Sequence, residues 1–159
     1  MRKIKFIIVH WSVTGKSTTV EDLRNSHLKR KFRDIGYHRV ILYPSPVQKE
    51  EDEWWQLVKK GRNLNDDIYL ELNEIGAHTL GYNKNSVGIC LIGHPLYKPD
   101  PLQLKALQKA CLILARRFNV NPDNIIPHNK VNATLCPGTH ITEHLELVKK
   151  YCKENIVPF

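Results

Sequence analysis

Residues 4–9 read IKFIIV and residues 86–92 read SVGICLI. Both runs are short, apolar and rich in β-branched residues, a pattern that predicts buried β-strands. Gly88 within the second run indicates that another group approaches the backbone closely. Segments with helical periodicity lie between and after the two runs, so strands alternate with helices. This alternation is typical of an α/β domain built around one central sheet.

Three helices are predicted, and the first two have recognisable start signals. Thr18 and Glu21 have the spacing of a capping box. Asp100 followed by Pro101 forms an N-cap and a first helical turn. The predicted helices span about 20–33, 101–118, and a last segment from Thr139 or Thr142 to about 154.

The remaining elements are less regular in pattern. Further strands are predicted at 37–43, near 54–58 and at 125–126, with a short helical turn near 66–72. The stretch 47–76 mixes charged and apolar residues without a clean period. A chain of 159 residues fits one domain, spanning 1–159, that can bury a core without disulfide bonds.

The net charge of +8 favours polyanionic partners such as nucleic acid, anionic lipid or the acidic polymers of a bacterial wall. The basic residues are scattered over helix faces without interleaved aromatic residues, so we expect no specific nucleic-acid binding. No stretch approaches the roughly 20 apolar residues of a membrane span. The apolar run at 6–9 is too short for a signal peptide. We therefore expect no membrane insertion, and synthesis in the cytoplasm without a signal peptide.

Three residues far apart in sequence have the chemistry of a metal site. His10 follows the first predicted strand, His128 follows the strand at 125–126, and Cys136 lies in a loop after it. Zn²⁺ prefers imidazole and thiolate ligands, and three protein ligands leave a fourth position open, as in catalytic sites. The chain has eight histidines. On these residues alone, histidines satisfied in the core or at the surface therefore remain an alternative.

Five segments that occur in order carry a family resemblance: IIVHWSVT at 7–14, IGYHRVI at 35–41, IGAHTLGYNKNSVGICLIG at 75–93, IPHNKV at 126–131 and TLCPG at 134–138. Together they resemble the zinc-dependent N-acetylmuramoyl-L-alanine amidase family, which includes the phage T7-type lysozymes and the animal peptidoglycan recognition proteins. The resemblance implies a mixed β-sheet flanked by helices, with zinc in a surface groove. The stretch 44–62 departs most from the family pattern.

The resemblance also implies roles for individual residues. His10, His128 and Cys136 match the Zn²⁺ ligands of the family. Tyr37 matches a tyrosine that orients the zinc-bound water or stabilises the oxyanion, although a packed core aromatic is the alternative. Thr134 stands where relatives carry a lysine or a threonine facing the reaction centre. A threonine can donate a hydrogen bond to an oxyanion but adds no positive charge.

Substrate contacts are expected from Trp11, Arg62 and His78. Trp11 follows the first ligand and offers an aromatic wall, with a core position equally open. Arg62 belongs to a Gly-Arg pair of the family, and His78 belongs to its AHT segment. Asn83 and Ser86 are expected to brace the loop before the 86–92 strand.

The implied activity is hydrolysis of the amide between the lactyl group of N-acetylmuramic acid and L-alanine in bacterial peptidoglycan. A phage or prophage endolysin, which reaches the wall after release, fits this activity. A cytoplasmic amidase that recycles muropeptides and a non-catalytic peptidoglycan-binding module are the alternatives. Some relatives that only bind peptidoglycan lack the cysteine ligand, whereas Cys136 is present here. We expect the protein to act as a monomer.

Overall fold

A computed structural model describes residues 1–64 and 69–156. Its centre is a five-stranded mixed sheet in the order β3-β2-β4-β1-β5. The β1–β4, β1–β5 and β2–β4 pairs are parallel, and β3 runs antiparallel to β2. The strands are β1 (Phe6–Trp11), β2 (Arg39–Ile41), β3 (Val58–Lys60), β4 (Ser86–Leu91) and β5 (Ile125–Pro127). The predicted α/β class with a central mixed sheet flanked by helices is confirmed.

Five α-helices surround the sheet within the described residues. Two long helices, α4 and α5, contact each other and bury a large apolar core against one face of the sheet. The first helix, α1, contributes to a smaller core on the other face. The helices are α1 (Val20–Lys29), α2 (Pro46–Glu50), α3 (Trp54–Leu57), α4 (Pro101–Phe118) and α5 (Thr139–Asn155).

Side chains of the central strands divide between these two cores, because successive residues of a strand point to opposite faces. Ile7, Val9 and Trp11 of β1 belong to the core under α4 and α5. His10 lies between two of them in sequence and so projects to the α1 face. Cys90 of β4, which is in register with His10, belongs to the core on that face. The alternation of side chains along β1 therefore directs Val9 and Trp11 into the main core and His10 to the opposite face of the sheet.

The predicted strand near 54–58 is wrong in its first part. Residues Trp54–Leu57 form the short helix α3, and the strand begins only at Val58. Val58 pairs with Ile41, the last residue of β2. The Leu57 carbonyl still accepts from the Leu42 N–H at 2.9 Å, but residues 54–57 form a helical turn rather than a strand despite their aromatic side chains.

Other boundaries also differ from the prediction, and the strand expected at 37–43 is confined to Arg39–Ile41. The capping box of α1 is formed by Thr19 and Asp22, one position after the expected pair, and the helix ends at Lys29 rather than near residue 33. The helical turn expected near 66–72 falls partly on 65–68, outside the described residues, and residues 69–72 are not helical. The stretch 44–62, which departs most from the family pattern, holds α2, α3 and β3. No helix in the described part of the chain is long and apolar enough to cross a bilayer.

Candidate metal centre

His10 and His128 meet because their strands are parallel neighbours. Val9 of β1 is in register with Pro127 of β5, so the residues that follow them lie side by side at the carboxyl edge of the sheet. The two imidazole ring centroids are 4.5 Å apart. Strand pairing thus brings together two residues that are far apart in sequence.

Cys136 reaches the same place from the loop before α5. The backbone N–H of Asn129 donates to the Cys136 carbonyl at 2.8 Å, which holds the loop against the turn that carries His128. The Cys136 Sγ accepts from the Trp11 backbone N–H at 3.3 Å and lies 3.8 Å from His10 Nδ1. Strand, turn and loop therefore each supply one side chain.

The three side chains fit a metal ion. The ligand atoms that His10, His128 and Cys136 can offer all lie within 4.8 Å of one another. A tetrahedral zinc with bonds of about 2.0–2.3 Å places its ligand atoms about 3.3–3.8 Å apart, so the cluster needs only small adjustments to close around an ion. Two imidazole nitrogens and one sulfur are a donor set suited to Zn²⁺.

Burial keeps His10 in the form that can ligate a metal. Desolvation lowers the pKa of His10 well below 6.5, and the nearby His128 adds to this effect. A neutral imidazole has one nitrogen free to act as a ligand. Burial also raises the pKa of the Cys136 thiol, so its conversion to thiolate depends on a cation at the site.

The cluster opens into a cavity of about 480 Å³. The cavity lies on the α1 face of the sheet, and its lining includes His10, Tyr37, His128, Thr134 and Cys136. A residue that sequence reasoning missed, Arg30, also lines it and is exposed at the end of α1. Its guanidinium lies over the Phe32 ring at 5.1 Å from the ring centroid.

Tyr37 projects into the cavity beside the first histidine. Its ring centroid is 5.2 Å from that of His10. Burial raises the pKa of Tyr37 well above 10, so the phenol keeps its proton and remains a hydrogen-bond donor. The neighbouring His38 is buried outside the cavity lining, where it accepts from the Gly88 N–H and contacts the Glu74 carbonyl. Tyr37 and His38 are therefore directed to different surroundings although they are adjacent in sequence.

Thr134 lies at the other side of the cluster, two residues before Cys136. Its Oγ1 accepts a hydrogen bond from the Cys136 backbone N–H at 3.2 Å. This contact leaves the hydroxyl proton available to a group in the cavity. Thr134 and Tyr37 can therefore each offer one donor to a bound carbonyl oxygen.

His78 is part of the cavity lining, as expected of a substrate contact, but it lies beside His10 and is almost fully buried. The side chain is only 9% exposed. Its Nδ1 is 2.9 Å from His10 Nε2, and its Nε2 is 3.2 Å from Ser86 Oγ. Asn83 accepts from the backbone N–H groups of His78 and Thr79, as expected for a loop brace. The partners of His78 are thus protein groups.

Arg62 and Trp11 also differ from their expected roles. Arg62 donates to the backbone carbonyls of Asp34, Ile35 and Ile75 and is not part of the cavity lining, so it braces three chain segments. Trp11 touches the cavity, but its side chain is 3% exposed because strand alternation turns it away from His10 into the main core. Little of its indole can contact a substrate.

Asn132 is a further residue that sequence reasoning missed. Its Oδ1 lies 3.0 Å from Nε2 of His128. The spacing of four residues after a ligand was the only signal in the sequence that pointed to it. With this contact, Nε2 of each histidine of the cluster has a polar side-chain partner outside the cluster.

The fold and the site together define an α/β domain with a His-His-Cys cluster in a surface cavity. A sequence profile of the family described as N-acetylmuramoyl-L-alanine amidase matches residues 1–139. The chain belongs to the N-acetylmuramoyl-L-alanine amidase family. The resemblance inferred from the five segments is confirmed.

Similar proteins include recognition proteins, endolysins and amidases. The chain is 28% identical over 155 residues to a peptidoglycan-recognition protein of Drosophila melanogaster, covering 92% of this chain and 75% of that protein. It is 27% identical over 140 residues to the endolysin of Escherichia phage T7, covering 83% and 79%. The solved structure of the N-acetylmuramoyl-L-alanine amidase LysC from Clostridium intestinale matches with a TM-score of 0.74 and 23% identity, covering 98% of this chain and 87% of that one. The last match confirms the fold.

Proposed function

We propose that this protein is a zinc-dependent N-acetylmuramoyl-L-alanine amidase. It hydrolyses the amide that joins the lactyl group of N-acetylmuramic acid to L-alanine in bacterial peptidoglycan. The observation that carries the proposal is the grouping of His10, His128 and Cys136 within 4.8 Å at a cavity of about 480 Å³. A single substitution at Cys136 would remove the sulfur ligand. The presence of the cysteine therefore favours catalysis over binding alone.

The residues around the cluster can divide the work of amide hydrolysis. Zn²⁺ held by His10, His128 and Cys136 supplies Lewis acidity toward water and toward the scissile carbonyl. Tyr37 donates a hydrogen bond to the carbonyl oxygen as negative charge develops on it. Thr134 donates a second one from the opposite side. Such donors act most strongly on developing charge in a site that excludes water.

Arg30 is the proposed contact for the stem peptide. Its side chain is exposed, lines the cavity and carries a positive charge. Stem peptides carry carboxylate groups beyond L-alanine, and a guanidinium binds a carboxylate through two parallel hydrogen bonds. Arg30 thus replaces Arg62 as the arginine assigned to substrate.

The physiological role we propose is that of a phage-type endolysin that acts on the cell wall as a monomer. The similarity to the endolysin of phage T7 supports this role. The net charge of +8 suits attraction to an acidic wall. A recycling amidase would carry out the same chemistry on soluble muropeptides. The ratio of rates on intact walls and on soluble fragments separates the two roles.

The proposal is tested by measuring new N-terminal alanine released from purified peptidoglycan. Wild type, Cys136→Ala, and wild type treated with a chelator and then restored with zinc are compared. Release by wild type alone, lost with chelator and recovered with zinc, supports the amidase. A protein that binds walls and zinc but releases no alanine from walls or soluble muropeptides is a recognition module, and the proposal of catalysis fails.

A further inference from the structure

The two histidines of the cluster share a feature that is separate from the metal itself. Each has its Nε2 engaged by a side chain outside the cluster: His10 by His78 at 2.9 Å and His128 by Asn132 at 3.0 Å. A neutral imidazole carries one proton, and the nitrogen that bears it is set by hydrogen bonds to neighbouring groups. The outer partners therefore decide which nitrogen is free.

The orientation of the Asn132 amide is determined by its other contacts. Its Nδ2 donates to the Val131 carbonyl at 2.9 Å and lies 3.4 Å from the Leu80 carbonyl. Since carbonyls only accept, the amide nitrogen must face them and Oδ1 must face His128. An amide oxygen also only accepts, so Nε2 of His128 carries the proton. The lone pair of His128 is then on Nδ1.

The position of the His10 proton is set in a similar way, through His78 and Ser86. The Ser86 hydroxyl donates its proton to the Tyr82 carbonyl at 2.8 Å. Ser86 Oγ can then only accept from His78 Nε2, which lies 3.2 Å away. This places the His78 proton on Nε2 and leaves its Nδ1 as an acceptor. His10 must therefore donate from Nε2, and its lone pair is on Nδ1.

In both His10 and His128, the lone pair is consequently on Nδ1, the nitrogen that does not contact His78 or Asn132. Nδ1 of His10 lies 3.8 Å from Cys136 Sγ, a spacing suited to two ligands of one ion. Each chain of hydrogen bonds ends at a backbone carbonyl, which cannot exchange donor and acceptor roles. The polarity of both chains is therefore set by the fold.

Packing holds the His78 ring in this chain. Its side chain is 9% exposed, and a Cβ on Gly88 would lie 2.5 Å from its Cγ. The glycine of β4 therefore provides the space that the ring occupies. Thr79 Oγ1 lies 2.8 Å from His78 Nδ1 and 3.3 Å from His10 Nε2, beside the link between the two rings.

We propose, on the basis of the zinc centre proposed above, that His78 and Asn132 are positioning residues that hold His10 and His128 as Nε2–H tautomers with Nδ1 facing the ion. His78 is assisted by Ser86. Neither His78 nor Asn132 belongs to the three-residue metal cluster, and Asn132 lies outside the cavity lining. They act by preorganising the two imidazole ligands, and outer contacts of this kind typically change metal affinity about 10- to 100-fold.

Zinc affinity, measured by competition with a chromogenic chelator, is the first test. His78→Leu and Asn132→Leu remove the acceptor and should weaken zinc binding about 10- to 100-fold. His78→Asn and Asn132→Asp keep an acceptor oxygen and should remain close to wild type. His144→Leu is the matched control, because His144 is a partly buried histidine on α5 whose Nε2 makes no hydrogen bond to either ligand.

The second test is direct observation of the histidine tautomers, a measurement that requires neither zinc nor substrate. Two-bond ¹⁵N–¹H spectra of the metal-free wild type should show Nε2–H for both His10 and His128. The proposal is overturned by Nδ1–H signals, or by His78→Leu and Asn132→Leu variants that fold and bind zinc as tightly as wild type. A wild type with Nε2–H tautomers but no zinc affinity would instead refute the proposed zinc enzyme while leaving the assigned tautomers intact.

Discussion

Tyr37 places a phenol at the metal cluster, and burial keeps that phenol protonated. We predict that Tyr37→Phe lowers kcat for alanine release by about 10²–10³-fold, as for loss of one oxyanion donor. Zinc affinity should stay at the wild-type level, because Tyr37 is not a ligand. Steady-state kinetics and chelator competition with zinc-loaded protein measure the two quantities. Tyr43→Phe, outside the cavity lining, is the matched control, and equal losses in the two variants would refute the assigned role.

Arg30 carries the prediction for substrate recognition. Arg30→Gln removes a charge from the cavity and should raise KM for muropeptides about tenfold, the equivalent of about 1.4 kcal/mol. The effect should disappear with a substrate whose stem carboxylates are amidated, since the guanidinium then has no anionic partner. Arg33→Gln alters a nearby exposed arginine outside the lining and should leave KM unchanged. A KM that rises equally in both variants would mean general electrostatic attraction rather than a specific contact.

At the scale of elements, the strand β4 makes room for the positioning histidine. Gly88→Ala would place a Cβ 2.5 Å from the His78 ring. We expect a loss of about 1–3 kcal/mol in unfolding free energy, as for overpacking of a core, together with weaker zinc binding. Urea denaturation and chelator competition measure the two effects. Gly15→Ala, where a Cβ meets nothing within 4 Å, is the control that should change neither.

The elements that the sequence predicts well are those whose pattern is local. The buried strands around 4–9 and 86–92 and the helix that starts at Asp100 appear close to where they were expected. The prediction near 54–58 was wrong because β3 exists only where β2 offers a partner, and that pairing is not local. Strand limits set by a distant neighbour leave little trace in the residues themselves.

In the candidate site, too, residue types could be predicted from the sequence, whereas contacts between distant segments could not. His10, His128 and Cys136 could be selected from the sequence because ligand chemistry and the family resemblance point to residue types, and the structure brings them together. The contact between His10 and His78 spans 68 positions and depends on how a loop folds behind β1. Arg62 was assigned to substrate from the Gly-Arg pair of the family. Its three carbonyl partners, at positions 34, 35 and 75, come near it only in the folded chain, so its bracing role left no sign in the sequence.

At the scale of the whole molecule, buried neutral histidines make stability depend on pH. Burial lowers the pKa of His38 from 6.5 to about 3. Below pH 6.5 the unfolded chain takes up a proton at this residue, whereas the folded chain does so only near pH 3. Stability is therefore lost as the pH falls through this window, by up to about 1.4 kcal/mol per pH unit for one histidine.

We predict that the metal-free protein becomes steadily less stable between pH 6.5 and 4. Urea unfolding at several pH values in the presence of chelator gives the slope. His38→Gln should reduce that slope, because glutamine does not titrate. A slope that is unchanged in His38→Gln would show that other groups dominate the proton uptake on unfolding.

The three residues of the cluster differ in how much of the fold depends on them. His10 is buried within β1, an inner strand of the sheet, and His128 directly follows β5 beside it, so both positions are fixed by strand pairing. Cys136 is carried by a loop and is only partly buried. In evolutionary terms, and under the proposed function, the loop position is where catalysis could be lost without loss of the domain. One substitution there would leave the sheet and the cavity in place, and would give a descendant that binds wall fragments without cutting them.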